Sequence, residues 1–210
     1  MLPSTTQPFV IPIYLDLVAT FVMAVTGAVA AIRRGYDYIG VMILAFLVGV
    51  GGGVLRDGVF LNRVPLAVRD SRYLATVLLA CIAGFLFAKA RREVRTAMMV
   101  IDAIGLGCYA VFGTETSLDA GVSVIGAGMI GLINGIGGGL LRDISMREEP
   151  VLFQPSEHYA GAAILGIIVF LTLDSLEVGR LAAGTAGVIA TTGLRVLSAY
   201  FGWRTKAMGS

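Results

Sequence analysis

Residues 51–58 read Gly51-Gly52-Gly53-Val54-Leu55-Arg56-Asp57-Gly58, and residues 137–144 read Gly137-Gly138-Gly139-Leu140-Leu141-Arg142-Asp143-Ile144. The offset is 137 − 51 = 86, and it persists outside the two stretches. Asp16 maps to Asp102, Gly27 to Gly113, Gly40 to Gly126, Gly49 to Gly135 and Tyr73 to Tyr159. Each copy ends a long apolar run with three glycines and then sets an Arg-Asp pair at membrane depth. Broken helices and full charges are both costly in hydrocarbon, so a chain that carries them twice is using them. Interrupted membrane helices in an internal repeat point to a pathway for a polar solute or ion.

Composition agrees. The chain of 210 residues is 57% hydrophobic and 14% charged, with a mean hydropathy of +0.85, whereas soluble chains carry roughly 25% charge. The apolar residues come in runs of about 20, the length that crosses a bilayer, and no polar stretch is long enough for a separate soluble domain. The net charge is +2, with the basic residues at the edges of apolar runs, which argues against nucleic acid as a partner. Cys81 and Cys108 both lie inside apolar runs and read as packing residues. Met1 to Ile11 has no basic residue and holds Pro3 and Pro8, so it does not read as a cleaved signal peptide.

Seven helices are predicted, at about 12–32, 38–60, 72–89, 96–114, 119–145, 157–175 and 178–201, with breaks that include Glu115 to Leu118 and Leu176 to Glu177. An 86-residue repeat then covers three helices. Three is odd, so the second copy enters the bilayer from the opposite side. The predicted fold is an all-α integral membrane protein: a first three-helix repeat (12–89), a second, inverted one (96–175) and a seventh transmembrane helix (178–201). With the N-terminus outside, nine Lys and Arg fall in cytoplasmic segments (Arg33, Arg34, Lys89, Arg91, Arg92, Arg95, Arg147, Arg204, Lys206) against four opposite (Arg63, Arg69, Arg72, Arg180). That bias predicts an outside N-terminus and a cytoplasmic C-terminus.

Ala45, Gly49 and Gly53 are four apart, as are their mates Gly131, Gly135 and Gly139. Each set lies on one helix face and admits a close neighbour, so the second and fifth helices are expected to cross at these stripes near the pseudo-two-fold axis. Three consecutive glycines exceed what packing needs, and each costs roughly 1 kcal/mol in a helix interior. Gly51, Gly52, Gly53, Gly137, Gly138 and Gly139 therefore read as hinges or pore lining, where a kink frees carbonyls that can ligate a cation; tight packing is the competing reading.

Arg56, Asp57, Arg142 and Asp143 admit two readings. Adjacent helix residues point about 100° apart, so neither pair is expected to share a face. Either the charges line two mouths of a pore, or each Arg caps freed carbonyls and each Asp neutralises it. Asp16 and Asp102 sit early in their runs, with Arg56 or Arg142 as the expected partner; the alternative for each is a helix-entry cap. Thr20 extends a polar face from Asp16, and Asn134 offers an amide beside the second triglycine. His158 and Trp203 read as interfacial, and Arg195 as reaching for the cytoplasmic edge. There is no nucleophile–base arrangement, phosphate loop or metal-ligand spacing, so neither an enzyme nor a resident metal or cofactor is expected.

This layout, with Gly-Gly-Gly-(Val/Leu)-Leu-Arg-Asp at both positions, resembles the prokaryotic trimeric intracellular cation (TRIC) channels over about residues 12–201. The resemblance implies a homotrimer in which each protomer has its own hourglass pore for K⁺ and Na⁺, ions that pass rather than bind as cofactors. It implies a pore lined by the first, second, fourth and fifth helices and kinked at the triglycines. Animal members carry a Lys-Glu-Val motif for phospholipid headgroups, which this chain lacks; membrane lipid remains an expected partner. Some bacterial relatives are described as glycine transporters. The alternative is thus a secondary transporter of a small zwitterion such as glycine.

Overall fold

The computed structural model describes residues 13–88, 93–155 and 158–205. Their elements are α1 (Ile13–Arg34), α2 (Tyr38–Val54) with a π-helical continuation (Leu55–Phe60), α3 (Leu66–Arg69), α4 (Ser71–Ala88), α5 (Glu93–Asp119), α6 (Val124–Ser145), a 3₁₀ turn (Val151–Phe153), α7 (Tyr159–Ser175) and α8 (Arg180–Phe201). Six spans are long and apolar enough to cross a membrane, and α7 is a shorter apolar helix. The protein is an all-α integral membrane protein, with two three-helix units and a last helix. The expected first boundary at residue 12, the boundary at 89, and Lys89, Arg91, Arg92 and Lys206 of the charge count lie outside the described residues.

The expected break at Glu115 to Leu118 lies inside α5 and is corrected to residues 120–123. Thr114 and Ser117 are fully buried and donate their hydroxyls to the carbonyls of Ala110 (2.8 Å) and Gly113 (2.7 Å). The polar run is therefore the inward face of a helix, not a loop. The true turn follows the repeat: Gly35 and Gly121 both take φ +81°, and Asp37 and Ser123, two residues on, cap the next helices through Gly40 N–H (2.8 Å) and Gly126 N–H (3.3 Å). The last connection runs to Gly179 rather than ending at Glu177, so α8 starts at Arg180.

The helices α2 and α6 cross at the triglycines, and their contacts are reciprocal. A Cβ on Gly52 would strike the carbonyl of Asn134, and a Cβ on Gly138 the carbonyl of Val48. Likewise Gly51 faces Leu141, and Gly137 faces Leu55. Each contact maps onto the other by the 86-residue offset, which puts the crossing on the internal two-fold axis.

The four-spaced stripes do not make this crossing. Gly49 packs on Ala24 and Thr20 of α1, while Gly131 and Gly135 pack on α5 at Thr114, Ala110 and Leu106. They join the two helices within each repeat, because the stripe and the triglycine lie on different faces.

Helical hydrogen bonding continues through both triglycines. The helix α6 is unbroken from Val124 to Ser145. The helix α2 stays α-helical to Val54, where Leu55 N–H is shared between the Gly51 and Gly52 carbonyls, and then widens into the π-turn. That turn adds one residue to the first copy. Pro65 and Pro150 begin equivalent short helices, yet 150 − 65 is 85. The departure from regular geometry thus lies after the first triglycine rather than within it.

The repeats also differ in how they close. In the first, α4 lies directly on α1, with Gly84 against Ala28. In the second, α8 is inserted between α5 and α7: Gly107 and Gly166 both face Thr191, and Gly187 faces Gly166 and Val111.

Candidate functional site

Two charged clusters stand at opposite ends of α1. Asp16, in its first turn, shares a cavity with Arg56, whereas Arg33 and Arg34, in its last, share one with Arg142. Arg56 and Arg142 each stand four residues, about 6 Å of helix rise, beyond the crossing at Gly52 and Gly138, on opposite sides of it.

At the Arg56 end Asp16, Thr20, Arg56, Asp57, Tyr73 and Tyr109 are all buried. Arg56 is 1% exposed and turns back onto its neighbour, with Nε to Asp57 Oδ1 at 2.7 Å and Nη2 to Asp57 Oδ2 at 3.0 Å. Its guanidinium carbon lies 4.9 Å from the centre of the Phe112 ring. The two side chains leave the helix about 100° apart, and the arginine side chain is long enough to span that angle. Asp57 also accepts from Arg63 Nη2 (2.8 Å) and from Leu66 N–H (3.1 Å). Tyr73 donates its hydroxyl to Asp16. Tyr109 joins Thr20 (2.6 Å) and donates to the Gly49 carbonyl. Between them is a cavity of about 10 Å³ lined by Asp16, Thr20, Gly53, Arg56, Tyr73 and Tyr109, room for about one water-sized particle. Arg56 Nη1 has no hydrogen-bond partner among the described residues.

At the Arg142 end the same residue types are bonded differently. Arg142 reaches Asp143 Oδ1 through Nε (3.0 Å) and Asp102 Oδ1 through Nη1 (3.0 Å). Asp143 accepts from Val151 N–H at 3.1 Å, as Asp57 does from Leu66. The Arg142 side chain is 19% exposed and borders a cavity of about 280 Å³ lined also by Ala30, Arg33, Arg34, Met146 and Glu148. Tyr159 lies over the third glycine, Gly139, and its hydroxyl has no hydrogen-bond partner among the described residues. Arg195 was expected to reach for the membrane edge; it is buried instead, with its guanidinium 4.8 Å over the Tyr159 ring.

The predicted residues thus divide by role. Asp57 and Asp143 each anchor the short helix that follows; Arg56 and Arg142 reach inward. Asp102 meets Arg142 as expected, while Asp16 meets Tyr73. Gly53 and Gly139 face the arginines, whereas Gly51, Gly52, Gly137 and Gly138 make the crossing. Asn134 is fully buried and donates to the Tyr109 carbonyl at 2.6 Å, tying α6 to α5.

Tyr109, Phe112 and Glu115 escape the sequence reading. Tyr109 has Met23 as its repeat mate, so the offset gives it no signal. Glu115 belongs to a third cluster, where Arg180 meets Asp119, Asp174 (3.6 Å) and Glu115 (3.9 Å). Among the described residues no group of three His, Cys, Asp or Glu has the geometry to hold a metal ion.

Comparison with known proteins follows the same pattern. A family model described as glycine transporter matches residues 13–89 and again 99–175, two matches 86 residues apart (99 − 13). The chain is 35% identical over 186 residues to a UPF0126 membrane protein of Vibrio cholerae, covering 87% of this chain and 76% of that one. It is 30% identical over 185 residues to the UPF0126 inner membrane protein YadS of Escherichia coli K12, covering 87% and 89%. The crystal structure of the TRIC trimeric intracellular cation channel orthologue from Rhodobacter sphaeroides superposes with a TM-score of 0.85 at 33% identity, covering 90% of this chain and 97% of that one. A structure solved to explain conductance through TRIC cation channels gives 0.84 at 28% identity, covering 95% and 98%. The chain therefore belongs to the family of the glycine-transporter model and the UPF0126 membrane proteins, which is that of the prokaryotic TRIC channels.

Proposed function

We infer that the protein is a cation channel of the prokaryotic inner membrane, conducting K⁺ and Na⁺ through a pathway inside each protomer of a homotrimer. One observation carries the choice of ion. Among the described residues the buried charged side chains are five carboxylates, Asp16, Asp57, Asp102, Glu115 and Asp143, against two arginines, Arg56 and Arg195. An acid excess in low dielectric favours a cation over an anion. The cation channels among the structural neighbours support the same reading, and their trimeric assembly supports the homotrimer.

The pathway runs between α1, α2, α5 and α6, past Tyr109 and the third glycines Gly53 and Gly139. The π-turn over Leu55–Phe60 is its hinge. The N-terminus is outside, so the Arg56 end faces outward and the Arg142 end the cytoplasm. Lipid fills the outer helix faces, and the permeant ions are the ligands, with no resident cofactor. Single-channel recording in a planar bilayer tests this: unitary steps reversing near the K⁺ equilibrium potential are expected. Electrically silent, saturable uptake of labelled glycine would replace it with the carrier reading, which the family model's description favours.

A further inference from the structure

The two clusters hold the same three residue types, related by the 86-residue offset: Asp16, Arg56 and Tyr73 in one, Asp102, Arg142 and Tyr159 in the other. Their bonding is different. Asp16 accepts from Tyr73, and Arg56 is held by Asp57 through Nε and Nη2 while its Nη1 has no hydrogen-bond partner among the described residues. Asp102 accepts from Arg142, and the Tyr159 hydroxyl has no hydrogen-bond partner among the described residues. In each cluster the aspartate takes one of the two donors, and the other keeps one buried N–H or O–H without a partner. A stranded buried donor costs a large part of its hydration, so the loser in each half is poised to compete for the carboxylate.

The two arrangements go with two degrees of opening. Where the aspartate is on tyrosine, the cavity is about 10 Å³ and Arg56 is 1% exposed. Where it is on arginine, the Arg142 side chain is 19% exposed and borders a cavity of about 280 Å³ whose other walls are Ala30, Arg33, Arg34, Met146 and Glu148.

We propose that Tyr73 and Tyr159 are gating residues: each closes its end of the pathway by taking the aspartate from the arginine, and each end opens when the arginine takes it back. The proposal rests on the two clusters being the two ends of one pathway. The reach is short. Asp16, Arg56 and Tyr73 line a single small cavity, and Tyr159 and Arg142 both close over Gly139. The exchange needs no ligand of its own. Because the repeats are inverted, the conformation seen in one half is available in outline to the other. The reverse state has Asp16 on Arg56 with that end open, and Asp102 on Tyr159 with the other end shut.

The test reads access rather than conduction. In a background with Cys81→Ala and Cys108→Ala, single cysteines at Ala67 (the Arg56 end) and Ala30 (the Arg142 end) are labelled in nanodiscs, where both faces meet a charged, membrane-impermeant thiol reagent. The parent labels fast at position 30 and slowly at 67. Tyr73→Phe keeps the ring but removes the competing hydroxyl, and it is expected to speed labelling at 67 about tenfold, the equivalent of one buried hydrogen bond. Adding Asp16→Asn removes the ion pair that holds the open form, and the rate falls back. A merely loosened helix would stay fast in the double variant.

The second half supplies the reciprocal case should Tyr73→Phe fail to fold. Arg142→Gln slows labelling at 30 about tenfold, and adding Tyr159→Phe restores it. Rates that stay within about twofold of the parent, or a double variant as fast as Tyr73→Phe alone, would overturn the exchange. Ion flux is measured separately on the same variants. Labelling that shifts in a protein that passes no cation leaves the gate standing and removes the channel; flux with no labelling shift does the reverse.

Discussion

Gly52 of α2 lies directly over the backbone carbonyl of Asn134 of α6, where a Cβ would overlap the oxygen. Backbone cannot step aside as a side chain can. Gly52→Ala should therefore force α2 and α6 apart and destabilise the protein by about 1–3 kcal/mol, with Gly52→Leu worse. Gly53→Ala is the control, because its Cβ would meet only Arg56 Nη2, at 3.9 Å. Thermal unfolding of detergent-solubilised protein checks it: equal losses at 52 and 53 would refute the crossing as the reason for the glycine.

Arg56→Ala and Arg142→Ala act on opposite ends of α1. They should skew the current–voltage curve in opposite senses, with Arg142→Ala acting at lower ionic strength more strongly because its cavity is open to salt. Planar-bilayer recording under symmetric salt decides. Curves like the parent's in both variants would make the arginines structural.

Asp57 holds Arg56, Arg63 and the Leu66 N–H at once. Asp57→Ala strands a buried guanidinium and should cost roughly 3–5 kcal/mol. Asp143→Ala should cost less, since Arg142 keeps Asp102 and some contact with solvent. Unfolding midpoints in denaturant rank the two, and a larger loss at Asp143 would contradict this account.

Arg180 is ringed by Glu115, Asp119 and Asp174, and Glu115 is nearly fully buried. Arg180→Ala leaves three acids facing one another and should destabilise by about 1–2 kcal/mol, less than a buried pair because Arg180 is partly exposed. Adding Glu115→Gln should recover part of the loss in a double-mutant cycle by thermal melting; additive losses would show that Glu115 does not feel Arg180.

The repeat made most of the fold legible, and it knew more than the hydropathy did. Polarity put a break at Glu115 to Leu118, yet the offset maps Gly35 onto Gly121 and Asp37 onto Ser123, which is where the turn lies. Thr114, Glu115 and Ser117 misled because buried polar side chains bonded to their own helix look, in a one-dimensional reading, like a loop. The clusters were half legible. Asp16, Arg56, Asp102 and Arg142 announce themselves as charges in apolar runs, and Tyr73 and Tyr159 share the offset. Which of them bond is not written in the offset, since identical residues made different pairs in the two halves. Tyr109 is matched by Met23 rather than by a tyrosine, and α8 lies outside the repeat, so neither left a periodic signal.

That wedge has a consequence for the order in which the chain is assembled. The first three helices touch one another directly and can finish packing as soon as residue 88 has entered the membrane. The second three cannot, because α5 and α7 meet mainly through α8, whose last residue is Phe201. Half of the duplicated protein can be complete while the ribosome is still at work; the other half waits for the final helix to be made.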